Sequence, residues 1–125
     1  MTGLANSAER GGTLVEAAIV LPILILLLFG VVEFARAYNA QITLTHAARE
    51  GARVLAITED PDQAEAAAKD AATSLDPGLI AVSTTPCTPG APTEVALSYP
   101  FTYDIPLFGT NTVSLTAKGV MRCTG

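Results

Sequence analysis

The feature that most constrains this chain is an apolar run near its N-terminus. Residues 17–32 contain no charged side chain, and most of them are Leu, Ile or Val. With Leu14, Val15 and Phe34 the apolar segment reaches about 20 residues, which is the length of a helix that crosses a hydrocarbon core of about 30 Å. The run therefore predicts one transmembrane helix, over about residues 14–34.

Length and charge limit what the rest of the chain can be. The chain has 125 residues, of which 15% are charged, and this length allows one modest domain. Its net charge is −5, it has no Trp, and its seven Lys and Arg residues form no cluster in the sequence. Nucleic-acid binding depends on a basic surface, so the sequence argues against a nucleic-acid partner.

Beyond Phe34 the pattern becomes that of an amphipathic helix. We expect one continuous helix from about Thr13 to about Ile57, with its second half covered by a small domain, whereas residues 1–10 are expected to be unstructured. The residues expected on the buried face are Ala37, Ala40, Leu44, Ala48, Gly51 and Leu55. The residues expected on the opposite face are Asn39, His46, Glu50 and Arg53.

Small residues recur at four-residue spacing within this second half. Ala47 and Gly51 form one such pair, and Ala48 and Ala52 form another. Small side chains allow another backbone to approach closely. Two interpretations remain open: packing inside the chain's own domain, or contact with the helix of another subunit.

A second helix is predicted in the segment EDPDQAEAAAKDAATSLDPG, which begins at Glu59. Asp60 suits the N-cap, Pro61 the first helical position, and Gln63 the capping-box position. The sequence Asp-Pro-Gly at residues 76–78 predicts the end of the helix. Its inward face would be mostly alanine, which favours close packing: Ala64, Ala67, Ala68 and Ala71, followed by Leu75.

The remaining residues alternate between apolar and polar, as strands do. Residues 79–84 form a short strand candidate, and Val113, Leu115 and Ala117 alternate later in the chain. Val120 breaks this alternation, so we expect a bulge at Lys118-Gly119. Residues 86–92 and 104–111 are expected to be loops. A further strand is indicated by the alternation of Val95, Leu97, Tyr99 and Phe101.

The two cysteines, Cys87 and Cys123, both lie in the C-terminal part of the chain. Two well-separated cysteines outside a membrane anchor favour one disulfide in an oxidising compartment, the alternative being two free thiols. A bridge would stabilise the domain by roughly 3–4 kcal/mol on the chain-entropy model.

No set of residues with the spacing of a catalytic or metal site is found. His46 is the only histidine and lies on the polar face of the predicted helix. Glu59, Asp60 and Asp62 form an acidic cluster, but acidic residues are expected at a helix start. We therefore expect no enzymatic activity, no cofactor, no metal and no small-molecule substrate.

Glu16 is an unusual residue to find within the apolar segment, four residues after Gly12. An unpaired carboxylate is unfavourable in lipid, at about 3 kcal/mol near the bilayer centre. The segment could be a secretory signal cleaved after Ala35-Arg36-Ala37, a plain signal anchor, or a prepilin-type segment cleaved after Gly11. In the third case the new α-amino group of Gly12 could neutralise Glu16, within the chain or in a neighbouring subunit.

Three motifs in the N-terminal half occur in combination. The sequence RGGTLVE at residues 10–16 is similar to the recognition pattern of prepilin peptidases, in which Glu is the fifth residue after cleavage. Pro22 interrupts the apolar run and Glu33-Phe34 closes it. The third motif, AAREGAR, consists of Ala47, Ala48, Arg49, Glu50, Gly51, Ala52 and Arg53. Together these motifs resemble the TadE-like family of the tight-adherence (Tad or Flp) pilus systems, over roughly residues 9–57.

This resemblance implies a pseudopilin, or minor pilin-like protein, that acts in assembly of a Tad/Flp-type pilus or a related secretion system. The processing site would comprise Gly11, Gly12 and Glu16. The implied partners are the membrane, a prepilin peptidase, other pilins or pseudopilins and the inner-membrane assembly platform. The alternative function is a membrane-anchored extracytoplasmic interaction module that does not enter a pilus.

The predicted organisation is a leader peptide at residues 1–11, a long helix at 12–57 and an extracytoplasmic α+β domain at 58–125. The fold class is a membrane-anchored α+β protein with a second helix and a small antiparallel sheet. Arg10 precedes the span whereas Arg36 and Arg49 follow it. By the positive-inside rule this distribution favours a cytoplasmic C-terminal domain. We nevertheless place the N-terminus in the bacterial cytoplasm, because peptidase access and a disulfide in the outer domain require it.

Overall fold

One helix, α1 (Thr2–Thr58), makes up nearly half of the computed structural model, which describes the backbone of residues 2–124 and the side chains of residues 9–124. The predicted continuous helix is therefore confirmed, but it begins earlier than expected. The expectation that residues 1–10 are unstructured is wrong for Thr2–Arg10, and Met1 lies outside the described residues. No proline interrupts the helix before Pro22, so nothing in residues 2–12 forces it to stop.

The end of α1 is set by a left-handed residue. Glu59 has a φ of 57°, and its N–H group donates to the carbonyl of Leu55 at 2.9 Å. A residue in this conformation directly after the last helical turn satisfies one free carbonyl group and turns the chain away from the helix axis. The second helix can then begin two residues later and fold back along α1.

The second helix, α2 (Pro61–Ala71), begins as predicted but ends earlier. Asp60 caps it by accepting from the N–H of Asp62 at 2.9 Å, and Gln63 donates to the other oxygen of Asp60 at 3.1 Å. The predicted end at Asp76 is wrong, because Asp76 instead caps a separate 3-10 turn, Pro77–Leu79. Pro77 restricts Asp76 to extended backbone, so the chain cannot remain helical there.

Three strands form one antiparallel sheet in the order β1-β2-β3: β1 (Ala81–Thr84), β2 (Pro92–Ile105) and β3 (Gly109–Arg122). β2 and β3 form a long hairpin whose last pair is Ile105 with Gly109. The loop expected over residues 104–111 is therefore reduced to a three-residue turn at its tip. The first strand is shorter than expected because Leu79 belongs to the 3-10 turn.

The bulge expected at Lys118-Gly119 is not formed, and the pairing of β2 with β3 is continuous from Pro92–Arg122 to Ile105–Gly109. The alternation does not break, since the inward position after Ala117 is Gly119, which is buried, and Val120 simply faces outward. The alternation cannot be read from the sequence at this point, because Gly119 faces the core but has no apolar side chain. Its small size has a structural cause, because α1 passes directly over it.

The hydrophobic core lies where the second half of α1 meets α2 and the inner face of the sheet. Its central residues on α1 are Leu44, Ala47, Ala48, Ala52 and Leu55, with Ala64 and Ala68 from α2 and Val95 and Leu97 from β2. Cys87 and Cys123 form the expected disulfide, which joins the loop before β2 to the residue after β3. The observed architecture therefore confirms the predicted α+β fold class.

Candidate functional site

The first half of α1 extends away from the domain with its apolar side chains uncovered. It contains a segment with a mean hydropathy of 2.8, and none of that segment is buried by the rest of the described chain. A core helix of a soluble protein would be largely covered by its own domain. Apolar surface of this extent requires lipid or other helices around it, so the segment is compatible with a single membrane span.

The predicted processing residues lie at the start of this apolar segment. Gly11 and Gly12 are exposed, and a side chain added at either position would meet nothing within 4 Å. Glu16 is also exposed, one turn further along the helix. None of the ion pairs formed among residues 9–124 includes Glu16. Its carboxylate is therefore free to pair with a cation other than the side chains of residues 9–124.

Pro22 lies within α1, which continues through it without a break. A proline in a helix removes one backbone hydrogen bond and crowds the carbonyl four residues earlier. That residue is Ala18. Transmembrane helices tolerate such a proline because neighbouring groups can satisfy the free carbonyl.

At the other end of the apolar segment, Glu33 is neutralised by Arg36. One guanidinium nitrogen of Arg36 donates to both carboxylate oxygens of Glu33 at 2.8 Å, and the Glu33 side chain is 13% exposed. The same guanidinium lies 5.4 Å from the centre of the Phe101 ring on β2. A cation over an aromatic face is stabilised by the ring quadrupole. This pairing was not predicted from the sequence, although the three-residue spacing of Glu33 and Arg36 was a signal for it.

The AAREGAR motif joins α1 to the rest of the domain. Ala47, Ala48 and Ala52 are fully buried. A Cβ atom at Gly51 would lie 3.0 Å from the Cβ of Ala68 on α2 and 3.2 Å from a methyl group of Val95 on β2. The motif's small residues therefore set how closely α1 packs against α2 and the sheet.

The charged residues of the same motif lie outside the core. Arg49 and Arg53 are exposed and Glu50 is half-buried, with Arg53 and Glu50 4.0 Å apart. Of the two interpretations of the small residues, packing within the domain is confirmed. Another subunit's helix cannot reach these buried positions unless the domain opens.

The described residues show no arrangement with an obvious catalytic geometry. His46 is exposed on α1 and lines a shallow groove with Gln41 and Arg49. Among residues 9–124, no three His, Cys, Asp or Glu side chains lie close enough to hold a metal ion. A groove of about 330 Å³ between α1 and β2 contains one charged side chain, Arg36, which already pairs with Glu33.

Comparison with known protein families gives a match in the N-terminal half of the chain. The family model described as TadE-like protein matches residues 11–53, from the predicted processing site through the AAREGAR motif. The chain thus carries a TadE-like segment, and the resemblance inferred from the sequence is confirmed over that range. Comparison with curated proteins and with solved structures gives no match.

Proposed function

We propose that this protein is a pseudopilin-type component that acts in assembly of a Tad/Flp-type pilus or a related secretion system, without enzymatic activity. The observation that carries the proposal is the TadE-like match over residues 11–53. The architecture supports it, because a long helix is uncovered and apolar in its first half and anchored in a small domain by its second half.

The proposed maturation step is cleavage after Gly11 by a prepilin peptidase. Hydrolysis of that peptide bond frees the α-amino group of Gly12, a cation one helical turn from Glu16. The carboxylate of Glu16 is exposed and has no ion-pair partner among residues 9–124, so it could then pair with this group, or with the same group on a neighbouring subunit. Such a pair would neutralise both charges in a low-dielectric environment and set the register between adjacent subunits.

The proposed topology is a single span with the N-terminus in the cytoplasm and the domain outside the cytoplasmic membrane. Few Lys and Arg residues lie near either end of the span, so their distribution does not fix the orientation. The Cys87–Cys123 disulfide favours an extracytoplasmic domain, since disulfides persist in oxidising compartments. The expected partners are the prepilin peptidase, other pilins or pseudopilins and the assembly platform in the membrane.

A cleaved secretory signal is less compatible with the structure. The Ala35-Arg36-Ala37 sequence lies inside α1, and Arg36 is held there by Glu33 and the Phe101 ring. Cleavage after Ala37 would remove this contact between α1 and β2. The remaining alternative is an anchored interaction module outside the membrane that does not enter a pilus.

The test is the N-terminus and intact mass of the membrane-extracted protein, produced with and without the cognate prepilin peptidase under non-reducing conditions. We expect a chain that begins at Gly12 only when the peptidase is present. A chain that begins at Tyr38 would identify a secretory signal, and an uncleaved chain in both samples would favour the anchored module.

Two matched variants separate the role of Glu16 from a general charge effect. Glu16→Ala should impair co-purification of the protein with the pilus assembly components. Glu9→Ala removes the same charge from the leader side of the proposed cleavage site and should have little effect on assembly. Equal behaviour of the two variants would contradict the proposed pairing of Glu16.

A further inference from the structure

We propose that the tip of the β2–β3 hairpin, residues 105–108, inserts into the membrane leaflet on the domain side and gives the domain a second contact with lipid. This inference rests on the membrane anchoring of α1 in the proposed function. It does not depend on cleavage, on pilus assembly or on which side of the membrane the domain occupies.

The position of the hairpin along α1 is the first observation. β2 passes along the helix toward its apolar half: Val95 lies beside Gly51, and the Phe101 ring lies beside Arg36. Further along, Ile105 and Val113 line the same groove as Gly30 and Phe34. The end of the hairpin therefore lies level with Gly30.

Gly30 is itself part of the uncharged run of residues 17–32. At a rise of about 1.5 Å per residue, it lies roughly 6 Å inside the expected end of the span near Phe34. The turn of the hairpin continues beyond the last strand pair, Ile105 with Gly109. A membrane that covers the apolar run of α1 therefore also reaches the hairpin tip.

The side chains at the hairpin tip are large, apolar and exposed, as contact with lipid requires. Leu107 is 90% exposed and Phe108 is 72% exposed, so two large apolar side chains project away from the described chain. Leu107 has a φ of 75°, a conformation usually occupied by Gly or Asn. No charged residue occurs between Asp104 and Lys118.

The backbone of the tip has few free N–H groups. Pro106 has no N–H group, and the N–H of Phe108 donates to the carbonyl of Ile105 at 3.0 Å. The strands are paired as far as Ile105 and Gly109. Lipid-exposed backbone must satisfy its hydrogen bonds internally, and two of the three N–H positions in the turn, at Pro106 and Phe108, meet this requirement.

Asp104 limits the depth of the insertion. Its side chain is exposed and lies one pair before the end of the ladder, opposite Thr110. A charged carboxylate is unfavourable in hydrocarbon, so Asp104 should remain at the level of the headgroups. The half-buried aromatic ring of Tyr103 precedes it, and tyrosine is frequent at this boundary in membrane proteins. The expected contact is therefore shallow and apolar, and it needs no anionic lipid because the tip has no basic residue.

The absence of Trp from the sequence allows a direct measurement of depth. In full-length protein reconstituted into phosphatidylcholine vesicles, Phe108→Trp introduces the chain's single tryptophan at the tip, where it is excited selectively over the three tyrosines. Lipids that carry bromine on their acyl chains should quench about half or more of its emission, because an interfacial segment lies roughly 5–10 Å deep. Bromine close to the headgroup should quench more strongly than bromine deep in the chain.

Two further reporters make the result decisive. Val120→Trp places the probe at an exposed apolar position at the opposite end of β3, where no quenching is expected. Phe29→Trp places it within the apolar run of α1 and reports whether the helix itself enters the bilayer. Circular dichroism and an intact disulfide confirm that each variant is folded.

The outcomes distinguish the inference from its premise. Quenching at positions 29 and 108 but not at 120 supports the second contact. Quenching at 29 with none at 108 overturns the inference and leaves the anchoring intact. In that case, the emission of the Phe108→Trp variant should be examined at several protein concentrations. A blue shift that increases with concentration would show that another copy of the chain covers the tip instead. No quenching at position 29 would overturn the membrane anchoring, and the inference would fail with it.

Discussion

Gly119 on β3 lies directly beneath the backbone of α1, so that a Cβ atom at this position would overlap the carbonyl group of Ala48. No side chain separates the strand from the helix at this point. The neighbouring residues that pack there, Ala48 and Ala117, are also small. The helix and the sheet therefore meet at a distance that only glycine permits.

Gly119→Ala should destabilise the domain by about 2–3 kcal/mol, because the helix backbone must move to accept one methyl group. The free energy of unfolding of the full chain, measured in detergent with urea, checks this prediction. Gly30→Ala is the matched control, since a Cβ atom there would meet nothing within 4 Å. Similar effects of the two substitutions would mean that the loss comes from glycine itself and not from crowding.

Loss of the Arg36 charge should be more harmful than loss of the ion pair as a whole. Arg36→Met keeps an aliphatic side chain near Phe101 but leaves Glu33, which is 13% exposed, without its cation. We expect a loss of about 1–2 kcal/mol in the free energy of unfolding, most of it recovered when Glu33→Gln is added.

A double-mutant cycle with both single variants and the double variant measures this coupling. Arg53→Met provides the control, because Arg53 and Glu50 have the same three-residue spacing but are 4.0 Å apart and more exposed. That pair should contribute less than about 0.5 kcal/mol. Additive losses at Glu33 and Arg36 would contradict a specific interaction between them.

The disulfide should account for a large part of the domain's stability. Cys87 and Cys123 are 36 residues apart, and a loop of that size corresponds to about 4 kcal/mol on the chain-entropy model. The double variant Cys87→Ser/Cys123→Ser should lose this amount in urea unfolding. Reduced wild-type protein should unfold at the same urea concentration as the variant, and a variant as stable as the oxidised protein would refute the prediction.

A glycine in place of Glu59, the left-handed residue after α1, should stabilise the protein. Glu59 has a φ of 57°, which costs about 1 kcal/mol for a residue with a Cβ atom. Glu59→Gly should therefore raise the free energy of unfolding by roughly that amount, as measured by urea unfolding. Glu59→Ala removes the carboxylate but keeps the Cβ atom, so an equal gain in both variants would point to charge at the helix C-terminus instead.

Local patterns in the sequence predicted those elements whose signals are themselves local. The start of α2 followed from Asp60 and Pro61, and the alternation of Val95, Leu97 and Phe101 identified the inward face of β2. The expected bulge was wrong because glycine carries no hydrophobic signal, so that a buried Gly119 was indistinguishable from a break in the strand. The expected end of α2 at Asp76 was wrong. The helix ends at Ala71, and Asp76 instead accepts from the N–H of Gly78 and caps the following 3-10 turn.

The TadE-like segment and the single apolar span were determined by the sequence alone, because each depends on residue type and spacing along the chain. For Cys87 and Cys123 the sequence left a disulfide and two free thiols open, and the structure shows the bond. The tertiary structure decided which partners those residues have. It placed the small residues of AAREGAR against the chain's own α2 and sheet, paired Glu33 with Arg36 beside the Phe101 ring, and brought Ile105 and Val113 to the same groove as Gly30. These relationships join residues far apart in the chain, and their geometry depends on how closely whole elements can pack.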